Sequence, residues 1–455
     1  MGVAVTTRHI GRQAVVIGAG IAGLAAAGAI ADHFERVIVL ERDNLPMEAA
    51  PRPGAPQSWH LHGLLGGGSY ALDQLFPGLG DDMVRAGAVP LRINCDLREE
   101  YPGFGAIPQR DFGWLGYSLS RGLIELTMRR RLMHRANIAL RQRCRVLDVV
   151  AAQDGRNVVA VRCTDVDDGH CDTLPAELVI DASGRGSLTV ALLETIGQPL
   201  PEETVVGIDL GYSTGIVDIP EDAPSDWKGI LTHPSAPDSS RRSVMLPIEG
   251  NRWMVTMAGR KDDRPPGNWE AFLDFARGLS TPTIFNAIRY ADPPGRLMRF
   301  GFPESTWRHF EQVAAFPDGL LPIGDAICRF NPVYGQGMTV ASQEALCLHR
   351  LLQERTNEKD PLVGLGPAFL AKIQPLIETP WMMAAVPDFV YPDTRGKRPP
   401  DLQRQLQFGT ALRRIAIRDE VFHRLIVEVW HLLKPSSVYH DQEIARLVAE
   451  EMADA

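Results

Sequence analysis

A lone acid, an Asn-Pro turn and two glycines occur together in the segment PIGDAICRFNPVYGQGM, residues 322–338. Asp325 follows a short apolar run, and Gly335 and Gly337 precede an apolar, helix-like stretch. A Gly-rich turn that leads into a helix offers bare amides and the positive end of a helix dipole. These residues suit a turn that holds a flat ring whose charge changes during a reaction. An ordinary strand-loop-helix connection capped by the aspartate is the alternative.

A second Gly-rich turn lies in AVVIGAGIAGLAAAGAIADHFERVIVLER, residues 14–42. The pattern predicts a buried strand over 14–17, a turn, a small-residue helix and a second strand that ends at Glu41. Gly18 suits the tight turn, Gly20 lets backbone approach a pyrophosphate, and Gly23 lets helix and strand pack closely. Glu41 stands 21 positions after Gly20, where an acid accepts hydrogen bonds from ribose hydroxyls. The segment predicts a dinucleotide site without a 2′-phosphate.

The chain contains this Gly-x-Gly-x-x-Gly pattern once, which argues against the architecture of two-nucleotide disulfide reductases. GLLPIGDAICRFNPVYGQGMTVASQEALCLHRLL, residues 319–352, resembles the second FAD motif of flavoprotein monooxygenases of the para-hydroxybenzoate hydroxylase type. The resemblance implies that Asp325 bonds the ribityl chain and that Pro332 lies against the isoalloxazine edge. It also implies that the amides of Gly335 to Met338 face the N1/O2 region of the flavin.

Two further segments resemble the same flavoproteins. AELVIDASGRGS, residues 176–187, predicts a strand and then a turn over Asp181 to Ser187, which by resemblance lies beside the FAD pyrophosphate. Arg185 in this turn either contributes to nicotinamide binding or belongs to a purely structural turn. Arg121 opens a helix after Ser120, a suitable N-cap, and by resemblance it reaches the FAD phosphates.

The resemblance narrows to a bacterial group of FAD-dependent epoxidases and hydroxylases that includes the polyether epoxidases. It spans most of residues 12–400, and three further segments carry it: PRPGAPQSWHLHGLLGGGSYALDQLFPG (51–78), MLPIEGNRWMVTMAG (245–259) and PWMMAAVPDFVYPDTRG (380–396). By this resemblance Gln57, His60 and His62 form a loop beside the isoalloxazine. Alternation in a strand or loop would turn both histidines to one side. No Cys, Asp or Glu stands nearby at ligand spacing, so a metal site is not expected, and histidines that anchor backbone are the alternative.

The predicted site residues form two groups. The catalytic group is His60, His62, Pro332, Gly335 and Gly337. The cofactor-binding group is Gly18, Gly20, Ala22, Gly23, Glu41, Arg42, Gln57, Arg121, Asp181, Gly184, Gly324, Asp325, Pro332, Gly335, Gly337 and Met338.

The reaction implied is that of an FAD-dependent monooxygenase, which passes one oxygen atom from O₂, through a flavin C4a-hydroperoxide, to an apolar substrate. Epoxidation, hydroxylation and Baeyer-Villiger insertion stay open, as do polyketide, terpenoid and aromatic substrates. NAD(P)H is expected as reductant, directly or through a partner flavin reductase. A prenyl-chain reductase or a flavin-binding regulatory protein would share the fold. A flavin halogenase would too, but it is expected to carry Trp-x-Trp, which is absent here.

The elements that position these residues predict an α/β fold. A Rossmann-like FAD-binding domain, of the glutathione reductase-type variant, is interleaved with a mixed β-sheet/α substrate domain and followed by a C-terminal helical region. The expected FAD-binding domain is discontinuous, over 1–85, 115–200 and 312–355. The substrate domain covers 86–114 and 201–311, with a hairpin turn at 249–251. Residues 356–455 form the mostly helical region, which packs over the pocket or mediates self-association.

Composition excludes several other classes. Lys+Arg 47 against Asp+Glu 56 gives a net charge of −9, a poor match to nucleic acid or anionic membrane. The apolar run from Ala14 to Ala31 is interrupted by four glycines, so no integral membrane segment is expected. Six scattered cysteines without a Cys-x-x-Cys or a secretory leader favour reduced thiols and a cytoplasmic location.

Overall fold

The computed structural model of the chain describes residues 9–186 and 188–453. Predictions that fall on 1–8, on Ser187 at the end of the 181–187 turn, and on 454–455 lie outside these residues. The strands are β1 (Gly11–Ile17), β2 (Phe34–Leu40), β3 (Val89–Arg92), β4 (Leu97–Tyr101), β5 (Gly105–Ala106), β6 (Leu115–Ser118), β7 (Ile138–Arg141), β8 (Cys144–Ala151), β9 (Val158–Asp165), β10 (Cys171–Pro175), β11 (Leu178–Asp181), β12 (Glu203–Asp218), β13 (Gly229–Thr232), β14 (Arg242–Ile248), β15 (Arg252–Arg260), β16 (Met298–Arg308), β17 (Leu320–Pro322) and β18 (Cys328–Arg329).

The helices are α1 (Ile21–Ile30), α2 (Gly66–Leu75), α3 (Leu79–Arg85), α4 (Arg121–Met133), α5 (Leu188–Thr195), α6 (Trp269–Arg277), α7 (Thr283–Ile288), α8 (Gly337–Arg355), α9 (Leu365–Asp388), α10 (Leu402–Arg418), α11 (Glu420–Trp430) and α12 (Gln442–Ala453).

A parallel sheet runs in the order β17-β11-β1-β2-β7. Val15 on β1 aligns with Val179 on β11 and Ile38 on β2, so buried β-branched residues face neighbours of the same kind. The carboxyl ends of β1, β11 and β17 therefore meet at one edge, which is where the predicted Gly-rich turns begin. This arrangement confirms the Rossmann-like sheet that the sequence predicts.

A mixed sheet runs in the order β18-β16-β12-β15-β14-β13-β4-β5. The predicted hairpin is confirmed: β14 pairs antiparallel with β15 through a turn in which Gly250 has φ +79° and Asn251 φ +54°. Helices α6 and α7 cover one face of this sheet, where Phe272 and Ile284 pack against Trp253. Smaller sheets pair β8 with β9 and β10, and β3 with β6. The domain limits given above stay a prediction.

The C-terminal region is helical, as predicted. Helix α9 joins the main core through Phe369 and Ile373, whereas α10, α11 and α12 form a smaller core around Ile415, Phe422 and Val448. Within residues 9–186 and 188–453, none of the helices combines the length and the apolar character that crossing a bilayer requires.

Candidate functional site

The first Gly-rich turn connects β1 to α1 and needs glycine at two positions for different reasons. Gly18 has φ +102°, and a Cβ there would lie 2.6 Å from the carbonyl oxygen of Ala182. Gly23 lies inside α1, where a Cβ would lie 1.8 Å from the carbonyl oxygen of Gly18. The turn is therefore as tight as the sequence predicts, and helix and strand approach closely.

Gly20 is different because its missing side chain leaves space in front of the α1 N-terminus. A Cβ at Gly20 would meet Arg121 Nη2 at 3.6 Å and Arg52 Nη2 at 3.8 Å, both ordinary contacts. The first amides of a helix lack partners within it, and two guanidinium groups stand beside them here. This cradle suits a phosphate group.

Arg121 reaches the cradle from the start of α4. Its helix begins as predicted, with the Ser120 hydroxyl oxygen accepting from the Leu123 amide at 3.2 Å. Arg121 Nε donates to Glu125 Oε1 at 2.9 Å, and Glu125 Oε2 accepts from Arg52 Nε at 3.1 Å. One buried carboxylate therefore orients both arginines. Sequence reasoning missed Arg52, which stands in the PRPGAPQSWHLHG segment without a motif of its own.

Glu41 directly follows β2, as predicted. Its Oε2 accepts from the Ala19 amide at 2.9 Å and pairs with Arg52 at 3.0 Å, and its Oε1 accepts from the Asp43 amide at 3.1 Å. A carboxylate has about four acceptor positions, so one is left for a ribose hydroxyl. Arg42 is exposed.

The second Gly-rich turn packs directly against the first. Gly324 has φ +65°, and a Cβ there would lie 2.9 Å from the Cβ of Ala22 on α1. Asp325 next to it is exposed to the cleft, and its Oδ1 lies 4.0 Å from the Cβ position of Gly337 at the start of α8. The two turns, about 300 residues apart in sequence, thus border one cleft.

Buried Glu344 on α8 holds this second turn. Its Oε2 accepts from the Gly324 amide at 2.7 Å, whereas its Oε1 has no partner within the described residues. Burial raises the pKa of Glu344 to about 8. The side chain is therefore mostly neutral at pH 7 and adds little negative charge to the cleft.

Residues 331–335 form the loop before α8. Pro332 is exposed, Gly335 has φ +68°, and a Cβ at Gly335 would lie 3.8 Å from Gly63. Asn331 and Tyr334 both bond Asp388 at the end of α9. The side-chain amide of Asn331 donates to both carboxylate oxygens, at 2.9 and 3.0 Å, and the Tyr334 hydroxyl donates to Oδ1 at 3.1 Å. The C-terminal region thus holds the loop that is predicted to border the ring. Sequence reasoning missed this role of Asp388.

Gly337 and Met338 form the first turn of α8, with Met338 buried. First-turn amides of a helix have no partner inside it, so they can donate to a ligand. The buried Oε1 of Gln336, which has no hydrogen-bond partner in the described part of the chain, lies at the same helix start. An orphaned polar atom here fits a site whose occupant supplies the missing hydrogen bond.

The two histidines of the 51–78 segment contact different partners, contrary to the expectation that both turn to one side. His60 Nδ1 bonds the Thr214 hydroxyl at 2.7 Å, which fixes the loop to the mixed sheet. His62 Nδ1 donates to the His60 carbonyl at 2.8 Å, and its Nε2 accepts from Arg121 at 3.4 Å. Gln57 lies just before them in a short 3₁₀ turn, Pro56–Trp59. Residues 60–65 belong to no strand, so the side-chain alternation expected of a strand does not apply to His60 and His62.

Both histidines are neutral at pH 7. Burial lowers the pKa of His60 to about 4, and burial together with the charge of Arg121 lowers the pKa of His62 to about 3. In the part of the chain that the structure describes, no group of three or more His, Cys, Asp or Glu side chains could hold a metal ion.

Asp181 ends β11 and organises the turn that follows it. Its Oδ1 accepts from the amide and hydroxyl of Ser183 at 3.1 and 2.5 Å, and its Oδ2 from those of Thr189 at 2.9 and 2.7 Å. The carboxylate is saturated by these bonds. Gly184 has φ +69°, and among the described residues beyond its chain neighbours no atom lies within 4 Å of the position of its Cβ.

The cleft opens into a cavity of about 1520 Å³, whose lining includes His62, Gly63 and residues 331–335. Its walls come from both sides: Leu97, Ile208, Leu210 and Leu246 line it from the mixed-sheet side, and residues of α9–α12 line it opposite. The helical region therefore packs over the pocket, one of its two expected roles. The volume exceeds that of an ordinary drug-sized site, about 300–1,000 Å³.

Comparisons with known proteins agree with this geometry. No protein-family model matches the chain. It is 33% identical to Protein Rv3254 of Mycobacterium tuberculosis over 390 residues. This alignment covers 83% of this chain and 80% of that protein.

Solved structures show the fold. The flavin-dependent brominase Bmp2 has a TM-score of 0.66 at 15% identity and covers 98% of each chain. The myxobacterial chondrochloren halogenase CndH has a TM-score of 0.61 at 17% identity, over 97% of each chain. PqsL, a probable FAD-dependent monooxygenase from Pseudomonas aeruginosa, has a TM-score of 0.61 at 16% identity, over 84% of this chain and 97% of its own. The α/β fold predicted from the sequence is confirmed: the chain has the fold of FAD-dependent monooxygenases and halogenases.

Proposed function

The chain belongs to the same family as Protein Rv3254 of Mycobacterium tuberculosis, and we propose that it is an FAD-dependent monooxygenase. The proposed reaction transfers one oxygen atom from O₂ to an apolar, natural-product-like small molecule by epoxidation or hydroxylation. NAD(P)H supplies the electrons, either directly or through a partner flavin reductase.

One observation carries the proposal. Two helix N-termini, those of α1 and α8, border a single cleft, and this cleft leads past a Gly-rich loop into a large apolar cavity. A long cofactor needs both parts: a phosphate cradle at Gly20 and bare amides near Gly337. A substrate in the cavity would then lie beside the ring end of the cofactor.

The residues in the cleft fit FAD. Arg121 and the α1 N-terminus would hold the pyrophosphate, the remaining acceptor position of Glu41 a ribose hydroxyl, and Asp325 the ribityl hydroxyls. Bound FAD supplies the redox chemistry and the activation of O₂. The amides at the start of α8 would stabilise negative charge on the reduced ring.

The protein's own tasks are positioning and the exclusion of water. Gly335, in the loop that follows Pro332, lies close to Gly63. Asp388 fixes this loop through three hydrogen bonds, two from Asn331 and one from Tyr334. His62 is neutral and points its Nε2 at Arg121, so it adds no positive charge near a bound flavin. The apolar walls keep water from a reactive oxygen species.

Halogenation and prenyl-chain reduction are the alternatives on this fold. The Trp-x-Trp expected of a flavin halogenase does not occur in the sequence, and this observation favours oxygenation. The likeness to the polyether epoxidase group rests on the sequence segments alone. It supports epoxidation as the first reaction to assay.

The test begins with the purified protein, titrated with FAD and then mixed anaerobically with NADH or NADPH while the flavin absorbance is followed. Rapid bleaching is expected of a self-sufficient monooxygenase, and bleaching only with an added reductase is expected of a two-component one. O₂ uptake that matches product formation, without H₂O₂ release, supports the proposal. A protein that binds no FAD refutes it, and turnover without O₂ uptake replaces it with a reductase.

A further inference from the structure

Arg242 at the start of β14 is one of the charged residues that line the cavity, among them Glu99 and Asp388. Its Nη2 lies 3.4 Å from His233 Nδ1, and its guanidinium carbon lies 5.2 Å from the centre of the Tyr334 ring. Tyr334 belongs to the loop that is predicted to border the flavin. The arginine therefore stands at the ring end of the cavity.

Two buried arginines, Arg52 and Arg260, have carboxylate partners, whereas Arg242 has none among the described residues. Arg52 pairs with Glu41, Asp43 and Glu125, and Arg260 pairs with Asp393 at 3.4 Å. Across residues 9–186 and 188–453, no carboxylate oxygen lies within 4.0 Å of the Arg242 guanidinium. A guanidinium stays charged in proteins, and one that no carboxylate bonds directly has N–H donors that an anionic ligand can use.

The acids nearest to it are engaged elsewhere. Glu99 accepts from His233 Nε2 and from the Tyr101 hydroxyl, both at 2.7 Å. Because Nε2 donates to Glu99, His233 Nδ1 is the acceptor that faces Arg242. Asp388 is occupied by Asn331 and Tyr334, as described above. The charge of Asp388 acts on Arg242 from beyond hydrogen-bond distance, but among the described residues no carboxylate bonds the guanidinium directly. N–H donors of Arg242 are therefore left for a ligand.

We propose that the substrate carries an anionic oxygen group, a carboxylate or an ionised phenol or enol, and that Arg242 binds this group. The inference rests on the proposed function, since it takes the cavity to be the substrate site. A guanidinium presents two parallel N–H donors that match the two oxygens of a carboxylate. The remaining, apolar part of the substrate then lies along the leucine and isoleucine side chains of the wall. The substrate is thus amphipathic, which narrows the apolar class expected from the sequence.

Arg413 provides a matched comparison. It also lines the cavity, with its guanidinium carbon 5.1 Å from the centre of the Tyr101 ring. It contacts the Tyr101 ring rather than the Tyr334 ring, and the charge of Glu99 acts on it as that of Asp388 acts on Arg242. Arg413→Gln removes a cavity arginine while leaving Arg242 in place.

The experiment measures binding of aromatic acids and of their methyl esters to the full chain saturated with FAD, by equilibrium dialysis. The pairs are benzoate, 2-naphthoate, anthracene-9-carboxylate and pyrene-1-carboxylate, each with its ester. Native protein should bind at least one acid more tightly than its ester. Arg242→Gln should weaken that acid about 10- to 100-fold and leave the ester unchanged. Arg242→Lys should recover part of the loss, and Arg413→Gln should change the acid affinity less than about threefold.

If Arg242→Gln binds the ester as the native protein does, the variant is folded. If Arg242→Gln is unstable, Arg242→Lys tests whether the positive charge at this position is needed to bind the acid. Native protein without a preference for the acid of any pair, including protein that binds neither member, overturns the inference. An equal loss of affinity for the acid in Arg242→Gln and Arg413→Gln overturns the inference as well. FAD binding is scored separately in the same samples. Its absence refutes the proposed function, whereas the acid preference can still be measured on the flavin-free protein.

Discussion

Replacement of Gly20 by alanine should separate cofactor binding from folding. Gly20 has φ −78°, which any residue can adopt, and the added methyl group would contact only the ends of Arg121 and Arg52, at 3.6 and 3.8 Å. Both are flexible side chains that can move by a few tenths of an ångström. Gly20 is also the N-cap of α1, where alanine is less favourable than glycine by up to about 1 kcal/mol. We therefore expect the free energy of unfolding of the flavin-free Gly20→Ala variant to fall by no more than this amount.

The same methyl group should weaken FAD binding strongly. It would stand on the face of the α1 N-terminus that a pyrophosphate must approach, so at least one charge-assisted hydrogen bond from a backbone amide would be lost or lengthened. Such a bond contributes about 1.5–3 kcal/mol, and 1.4 kcal/mol corresponds to tenfold in affinity. The FAD dissociation constant should therefore rise about 10- to 100-fold.

Gly23→Ala is the matched control, because there the conflict lies within the protein. Its methyl group would lie 1.8 Å from the Gly18 carbonyl oxygen, so backbone must shift, at a cost of about 3 kcal/mol. Urea unfolding of the flavin-free proteins and titration with FAD, followed by flavin fluorescence, measure both quantities. The reasoning is refuted if Gly20→Ala binds FAD like the native protein. It is equally refuted if Gly20→Ala loses as much stability as Gly23→Ala.

Three further predictions follow from buried groups around the cleft. The folded-state pKa of Glu344, about 8, lies above its ordinary 4.5, so folding stability should fall by about 4 kcal/mol as pH rises from 4.5 to 8 and then level off. Glu344→Gln keeps the acceptor for the Gly324 amide and should remove this slope in urea unfolding; a slope that persists contradicts the assignment. Arg121→Gln should raise the FAD dissociation constant about tenfold at low salt, and Arg121→Lys should raise it less, as titrations at two ionic strengths would show. Asp388→Ala should free the Tyr334 loop and divert reducing equivalents to H₂O₂, with FAD affinity changed less than about threefold. Asp388→Asn keeps one acceptor oxygen, which can still accept from the Tyr334 hydroxyl, and should preserve coupling. Tight coupling in the alanine variant would contradict the role of Asp388.

The Gly-rich turns could be predicted from the sequence because each depends on residues that are close together in the chain. The positive φ of Gly18, the hairpin at Gly250 and the Ser120 cap are local requirements that particular residue types satisfy. The parallel sheet follows from the same local patterns, since buried β-branched runs alternate with a small-residue helix. The different directions of His60 and His62 could not be predicted, because the Thr214 hydroxyl that holds His60 comes from the mixed sheet.

The residues that sequence reasoning missed share a physical reason. Arg52 contacts Glu41, Asp43 and Glu125. Of these the sequence pattern marks Glu41 alone, and only the fold removes all of these charges together from water. A charge that folding buries must be compensated, so its partners reveal its role. The same reasoning works in reverse for Arg242, whose guanidinium no carboxylate among the described residues contacts directly. Its wall combines residues from the mixed sheet, the 331–335 loop and the C-terminal helices. A cofactor site built from consecutive backbone can be recognised in a sequence, whereas substrate chemistry built from separate segments has to be inferred from charges that the fold leaves unpaired.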